Sequence, residues 1–345
     1  MSMRLADESR PSQQQHRSRR PQPRFDLSLS ENPFPPLPSV LLAVNDVLAQ
    51  ANRYPEFLPQ RLPRLIAGRV GVHSDQVVVG SGATGVAMQI IQALTTRGAG
   101  IVYGSPTFDG YPIMAEMADL DVVPVALDAA GNQDLWAMTR AIDKRTGLVV
   151  VCRPHNPTGT VLPASELKAF LCAVPRRVPV ILDEAYAEFL GPADQVDTLA
   201  LLNRHPNLLV LRTFSKAYGL AGLRIGYAFG HRDLIGRVRR LQLPFGVSSA
   251  AVAAVAASYA AEPELAARIL RITTEREALR SALLRRHIAV PRSYANFLYL
   301  QGPGVATALR RAGIAAKAYP DGSARVAVGD PEADNAVLKA LESLR

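Results

Sequence analysis

The stretch Thr213-Phe214-Ser215-Lys216-Ala217-Tyr218-Gly219-Leu220-Ala221-Gly222-Leu223-Arg224-Ile225-Gly226 decides the reading of this chain. It follows the apolar run Leu208–Arg212, which has the character of a buried strand, so Lys216 leaves a strand end and Arg224 follows eight residues later between glycines. That pattern suits a site holding a reactive amine together with a bound anion. A lysine amine attacks a carbonyl only when partly deprotonated, and burial beside other cations lowers its pKa toward that condition. Of 39 basic residues only five are lysines (Lys144, Lys168, Lys216, Lys317 and Lys339), so amine chemistry has few candidates. A lone lysine at a strand end is most simply a solvated surface group; the strings around this one argue otherwise.

Working outward, short β-branched runs alternate with helical patterns from about residue 76 to 230. The strand candidates are 76–79, 100–103, 121–125, 147–152, 179–182, 208–212 and 224–229. Such alternation predicts an α/β fold whose parallel sheet is covered on both faces. Helical patterns include 84–95, where Val86, Ile90, Ile91 and Leu94 share a face, and 164–174 after Pro163. Beyond residue 245 the texture becomes an alanine-rich helical region, 248–285, interrupted near Pro263. Strands at 297–300 and 324–328 and a last helix at 331–344 then complete a smaller α+β domain. The expected organisation is a basic, disordered tail (1–24), an arm packing on the small domain (25–45), a large domain (46–247) and a small C-terminal domain (248–345). Pro33, Pro35, Pro36 and Pro38 argue against helix over 25–40.

Three strings build a site around Lys216. Val180-Ile181-Leu182-Asp183-Glu184-Ala185-Tyr186 puts an acid at the carboxyl end of an apolar strand, where ligands of open α/β sheets bind. Asp183 there either caps the next helix or pairs with a protonated pyridine nitrogen. Arg153-Pro154-His155-Asn156-Pro157-Thr158-Gly159 holds Asn156 between prolines, as a plain turn or as an amide donor to a phenolate or carboxylate. Val79-Gly80-Ser81-Gly82-Ala83-Thr84-Gly85 runs from strand through a Gly-rich turn into a helix whose free N–H groups favour a phosphate. It has neither the dinucleotide nor the P-loop spacing.

Together these strings resemble the fold-type I pyridoxal-phosphate (PLP) enzymes, specifically the aminotransferase group containing histidinol-phosphate aminotransferases and the actinobacterial aromatic amino acid (phenylalanine) aminotransferases. The resemblance runs from about Leu27 to the C-terminus. It implies a mainly parallel seven-stranded sheet with a smaller α+β domain, pyridoxal 5'-phosphate as cofactor, and Lys216 as the residue forming the internal aldimine and moving the proton. It further implies that Asp183 pairs with the ring nitrogen, that Tyr186 and Asn156 bond the ring hydroxyl, and that Ser215, Arg224 and the backbone of Ala83 and Thr84 hold the phosphate. Phe108 matches an aromatic stacked on the ring. Tyr54 matches a tyrosine reaching the neighbouring subunit's phosphate, which implies a homodimer with composite sites. Arg325 matches the arginine clamping the substrate carboxylate.

The chain departs from the histidinol-phosphate pattern in two places. No Pro-Tyr element precedes Phe25, and Ala316-Lys317-Ala318-Tyr319-Pro320 stands where those enzymes commonly have an arginine; Lys317 keeps the charge without the planar fork. Leu37-Pro38-Ser39-Val40 and Pro244-Phe245-x-Val247-Ser248-Ser249 look like the aromatic branch. The favoured activity is transfer of an amino group from an aromatic amino acid to 2-oxoglutarate. Histidinol phosphate is the alternative donor, and a PLP-dependent decarboxylase, which would release CO2, the less favoured reaction.

Composition removes other classes. With 48% hydrophobic and 20% charged residues the chain is an ordinary globular protein. The net charge of +9 raises the question of nucleic acid, but residues 1–24 hold six arginines against two acids, too short and too poor in apolar residues for a folded DNA-binding module. No apolar run suggests a membrane span or secretory signal, so a cytoplasmic protein is expected. Cys152 and Cys172 make no metal or redox spacing, and no metal is expected.

Overall fold

The computed structural model describes residues 23–329, 331–342 and 344, so the tail expected over 1–24 falls almost wholly outside the described residues. After a two-residue strand, Phe25–Asp26 (β1), the seven apolar runs form Val77–Ser81 (β2), Gly100–Ser105 (β3), Asp121–Ala126 (β4), Thr146–Cys152 (β5), Val180–Asp183 (β6), Leu208–Thr213 (β7) and Ile225–Gly230 (β8). They make one sheet in the order β2-β8-β7-β6-β5-β3-β4. All pairings are parallel except those of β8, which runs antiparallel to both β2 and β7.

The central strands read as continuous apolar runs because both faces are covered. In β5, Val149 and Val151 point into one core with the helices Arg61–Val70, Ala164–Ala173 and Ser249–Ala260. Leu148 and Val150 point into the other, with Gly82–Leu94, Gly110–Met117 and Arg232–Arg239. Each such fully buried side chain contributes about 2 kcal/mol of transfer free energy. β4 lies at the sheet edge and carries Pro124, which an edge strand tolerates.

This topology positions the site. The carboxyl ends of β2, β3, β5, β6 and β7, with the turns or helix start that follow them, carry Ala83, Phe108, Asn156, Asp183 and Lys216 to one edge of the sheet. The reversal of β8 places its first residue opposite Ser81 and its second opposite Thr213, so Arg224 arrives at that same edge from the other direction.

The smaller part contains the antiparallel sheet formed by Phe297–Leu300 (β9), Lys317–Ala318 (β11) and Ala324–Ala327 (β12), in the order β11-β12-β9, while Ile314–Ala315 (β10) pairs in parallel with β1. Here the structure differs from the sequence reading. The proline-rich segment does not exclude helix up to residue 40, because a helix begins at Pro38 and runs to Leu48. Proline in a first helical turn has no intrahelical N–H to lose. Nor does the core change at 247/248: Ala251, Val255 and Ile272 pack into the large-sheet core, whereas Leu279 and Leu283, farther along the helix Glu262–Leu284, pack into the small one. The long helix therefore spans both units, and of the expected arm the β1 end pairs with the small domain while the helix Pro38–Leu48 packs on Ser249–Ala260. The last helix stops at Ala340, and the strand expected from Arg224 starts at Ile225 because Arg224 is left-handed (φ 52°).

Candidate active site

At the carboxyl edge of the sheet lies a cavity of about 810 Å³, lined from both parts of the chain. Lys216 enters it three residues beyond β7. Its Nζ donates to the carbonyl oxygen of Ser30 (2.9 Å) and to Ser30 Oγ (2.6 Å). Burial first, and then the Arg325 guanidinium, pull this amine down to about 8. At pH 7 about one molecule in ten then carries the free amine, against about three in ten thousand for an ordinary lysine.

Asp183 ends β6 and is buried. Its Oδ2 accepts from the Tyr111 hydroxyl (2.6 Å) and its Oδ1 from the N–H of Ala185 (3.0 Å). Burial raises its pKa, while the Tyr111 hydrogen bond and the Lys216 charge oppose the rise. A buried carboxylate with spare lone pairs and no cation in direct contact is suited to receive a cationic N–H.

The turn after β5 brings Asn156 against Tyr186 and Arg325. Asn156 Nδ2 donates to the Tyr186 hydroxyl (3.4 Å), and Asn156 Oδ1 accepts from Arg325 Nη1 (2.7 Å). Burial pushes the Tyr186 phenol up to about 12, so it stays a neutral hydrogen-bonding group at physiological pH. Arg325, in β12, also donates from Nη2 to the Ser28 carbonyl (2.8 Å), while its Nε is buried without a partner.

The same cavity is lined by a helix start and an arginine whose chemistry suits an anion. The helix Gly82–Leu94 starts without a side-chain cap, and Ala83 and Thr84 line the cavity at its first turn. Uncapped N–H groups and the helix dipole favour a phosphate there. Gly82 has φ +73°, and a Cβ on it would collide with the Arg224 guanidinium; a Cβ on Gly226 would strike the backbone of Ala83. The glycines thus let the helix start, Arg224 and β8 meet closely. Ser215 Oγ, 2.9 Å from Thr213 Oγ1, lines the same end. An amine of lowered pKa, a buried carboxylate with no cation in direct contact and a helix start with free N–H groups fit an aldehyde-bearing pyridine phosphate as a donor set.

Phe108 lines the cavity and packs edge-on against Tyr111. Lys317 sits at the rim, ion-paired with Asp109 and opposite Arg325 in the β11–β12 ladder. Tyr54 does not line the cavity of its own chain: it is 83% exposed and packs against Phe245 with the rings tilted by 34°. The structure thus gathers every expected site residue except Tyr54. It adds Ser30 and Tyr111, which the motifs did not flag. Tyr111 stands one helical turn after Phe108, a spacing that could have marked it; Ser30 lies in a segment whose sequence carries no chemical pattern. Among the described residues no helix is long and apolar enough to cross a membrane, and no group of three or more His, Cys, Asp or Glu is arranged to hold a metal.

Comparison with known proteins agrees with this geometry. Residues 23–341 match the family Aminotransferase class I and II. An aromatic amino acid aminotransferase of Streptomyces coelicolor is 41% identical over 325 residues, covering 93% of this chain and 90% of that protein. One from Cutibacterium acnes is 42% identical over 316 residues, covering 90% of each. Among solved structures, histidinol-phosphate aminotransferase from Sinorhizobium meliloti, in complex with pyridoxal-5'-phosphate, superposes with a TM-score of 0.87 at 26% identity, covering 94% of this chain and 91% of that one. With the match spanning both cores and every wall of the cavity, the chain belongs to the aminotransferase class I and II family.

Proposed function

We propose that this chain is a pyridoxal 5'-phosphate-dependent aminotransferase that takes the amino group of an aromatic L-amino acid (phenylalanine, tyrosine or tryptophan) and passes it to 2-oxoglutarate. The observation that carries the reading is the depressed amine of Lys216 facing a cavity that also holds buried Asp183 and Arg325. The names of the relatives from Streptomyces coelicolor and Cutibacterium acnes support the aromatic donor.

When bound, the cofactor supplies an aldehyde for amine exchange and a ring that absorbs the electrons left by a departing Cα proton. Lys216 would be the residue that holds the aldehyde, and its Nζ, when free, would take up and return the proton at the substrate's Cα. Asp183 would pair with the ring nitrogen, with Tyr111 holding the carboxylate in place. Tyr186 and Asn156 would bond the ring hydroxyl. The first turn of the helix Gly82–Leu94 at Ala83 and Thr84, with Ser215 and Arg224, would hold the phosphate, and Phe108 would lie against the ring. Arg325 would grip the substrate carboxylate through its fork, exchanging its bond to Asn156 or Ser28 for the incoming anion. Lys317 would face the substrate side chain, and its pairing with Asp109 offsets the charge a second phosphate would need, which supports an aromatic donor over histidinol phosphate.

Exposed Tyr54, packed against Phe245 beside exposed Phe57, supports a homodimer in which Tyr54 enters the partner's cavity. Sedimentation at micromolar concentration should give twice the chain mass; a fully active monomer would contradict it. The activity is tested by supplying 2-oxoglutarate with phenylalanine, tyrosine, tryptophan or histidinol phosphate and following glutamate and CO2. Aromatic donors should give the highest kcat/KM without CO2. Preference for histidinol phosphate, or stoichiometric CO2, would overturn the reading.

A further inference from the structure

The segment Ser28–Asn32 carries no motif, yet it touches the site from end to end. Ser28 O accepts from Arg325 Nη2 (2.8 Å), and Asn296 Nδ2 donates to the carbonyls of Ser30 (3.3 Å) and Glu31 (2.9 Å). Asn32 Nδ2 donates to the carbonyls of Lys216 and Ala217, both at 3.0 Å. The strap is thereby pinned to the small domain through Asn296 and Arg325 and to the backbone of the reactive lysine through Asn32. Between these anchors Ser30 is 4% exposed. Its Oγ lies 2.6 Å from Lys216 Nζ and 2.8 Å from the Tyr186 hydroxyl, and its carbonyl accepts from the same Nζ at 2.9 Å.

Counting hydrogens on that nitrogen gives the consequence. A neutral amine has two N–H bonds and one lone pair. Ser30 supplies an acceptor for each N–H, one from its backbone and one from its side chain, so the lone pair is the one site on the nitrogen left unused. Lys216 also carries four rotatable bonds whose freedom works against any fixed aim. We propose that Ser30 is a positioning residue: it holds the Lys216 amine by both hydrogens whenever that amine is not covalently engaged, keeps the lone pair free to take up a proton, and ties the amine to the Tyr186 hydroxyl through one buried Oγ. This deepens the function proposed above and rests on Lys216 being the proton carrier.

The charged and titratable groups facing Nζ are Arg325, Glu31, Asp183, Arg224 and Tyr186, and a Ser30→Ala change leaves all of them in place. Because an N–H donated to an acceptor favours the charged amine more than the neutral one, loss of Oγ moves Lys216 to a lower pKa. The amine then becomes more reactive toward small reagents while becoming less well aimed.

The test reads both effects. In full-length, cofactor-free protein, acetic anhydride labelling across pH, resolved by peptide mass for all five lysines, should show Lys216 of Ser30→Ala labelling about threefold faster at pH 7, its midpoint moved to lower pH, and the other four unchanged. In the cofactor-loaded protein, the single-turnover rate with phenylalanine should fall about tenfold with an increased Cα-deuterium isotope effect and unchanged substrate affinity. Ser30→Thr, which keeps the hydroxyl, should restore both. Unchanged labelling and turnover in Ser30→Ala would overturn the proposal. So would faster labelling at all five lysines, or a loss that Ser30→Thr does not restore, since either marks a general packing role. Wild-type turnover by Lys216→Ala would instead sink the functional reading itself; an inert Lys216→Ala beside a wild-type Ser30→Ala would remove only the role of Ser30.

Discussion

The cavity has two walls built on different principles. On the sheet side, Asp183 ends a buried parallel strand and Asn156 and Lys216 follow the ends of two others, so their placement is fixed by a ladder whose cores lock it from both faces. On the strap side, Ser28 and Ser30 lie in a segment outside the large sheet and reach Lys216 and Arg325, the latter nearly 300 residues away in the central strand of the small sheet, through hydrogen bonds onto their carbonyls and the Ser30 hydroxyl. In the proposed function the sheet wall presents the groups that would hold the cofactor, and the strap would release its bonds to Lys216 and Arg325 when substrate arrives. A rigid scaffold with a more loosely tied cover is the arrangement such exchange needs.

Substitutions on the two walls should therefore fail differently. Asp183→Asn removes the sheet-wall charge and should lower kcat on the order of 10³-fold while KM changes little, read by steady-state kinetics. Arg325→Lys keeps a charge but loses the fork, so KM for both substrates should rise about 10- to 100-fold with a smaller change in kcat. Equal losses in kcat and KM for both variants would erase the distinction between the walls.

Tyr111→Phe sharpens the sheet side. The Tyr111 O–H favours the charged form of Asp183 against burial, so its loss moves that carboxyl further up. The carboxylate then protonates at a higher pH as acid is added, and the acidic limb of the kcat profile should shift to higher pH, with a larger loss on the acid side than on the alkaline side. Lys317→Ala should have the smallest effect: its ion pair with Asp109 is partly exposed, and such pairs contribute about 0–1 kcal/mol, so KM for 2-oxoglutarate should change about threefold at most.

The same contrast explains what could be read in the sequence. All seven strands of the large sheet were legible because each is an apolar run between breakers, and the site residues at their ends were legible because a parallel sheet delivers its loops to one edge. Ser30 was not, since its function lies in where its backbone carbonyl points, and no side-chain pattern records that. The helix from Pro38 was hidden by the local rule against proline, which does not apply in a first turn. The spread of Glu262–Leu284 across two cores was hidden because its apolar positions switch partners midway without a change in period. Tyr54 was matched from resemblance, and in one chain it is exposed and does not line the cavity around Lys216.

The central claim is that the Lys216 amine moves the substrate's Cα proton. Its most direct test is single-turnover mixing of phenylalanine with cofactor-loaded wild-type protein and with Lys216→Ala, following the bound aldehyde's absorbance. The wild-type band should disappear on mixing and return with 2-oxoglutarate, whereas Lys216→Ala should bind phenylalanine but bleach about 10⁴-fold more slowly. Bleaching of Lys216→Ala at the wild-type rate would contradict the claim.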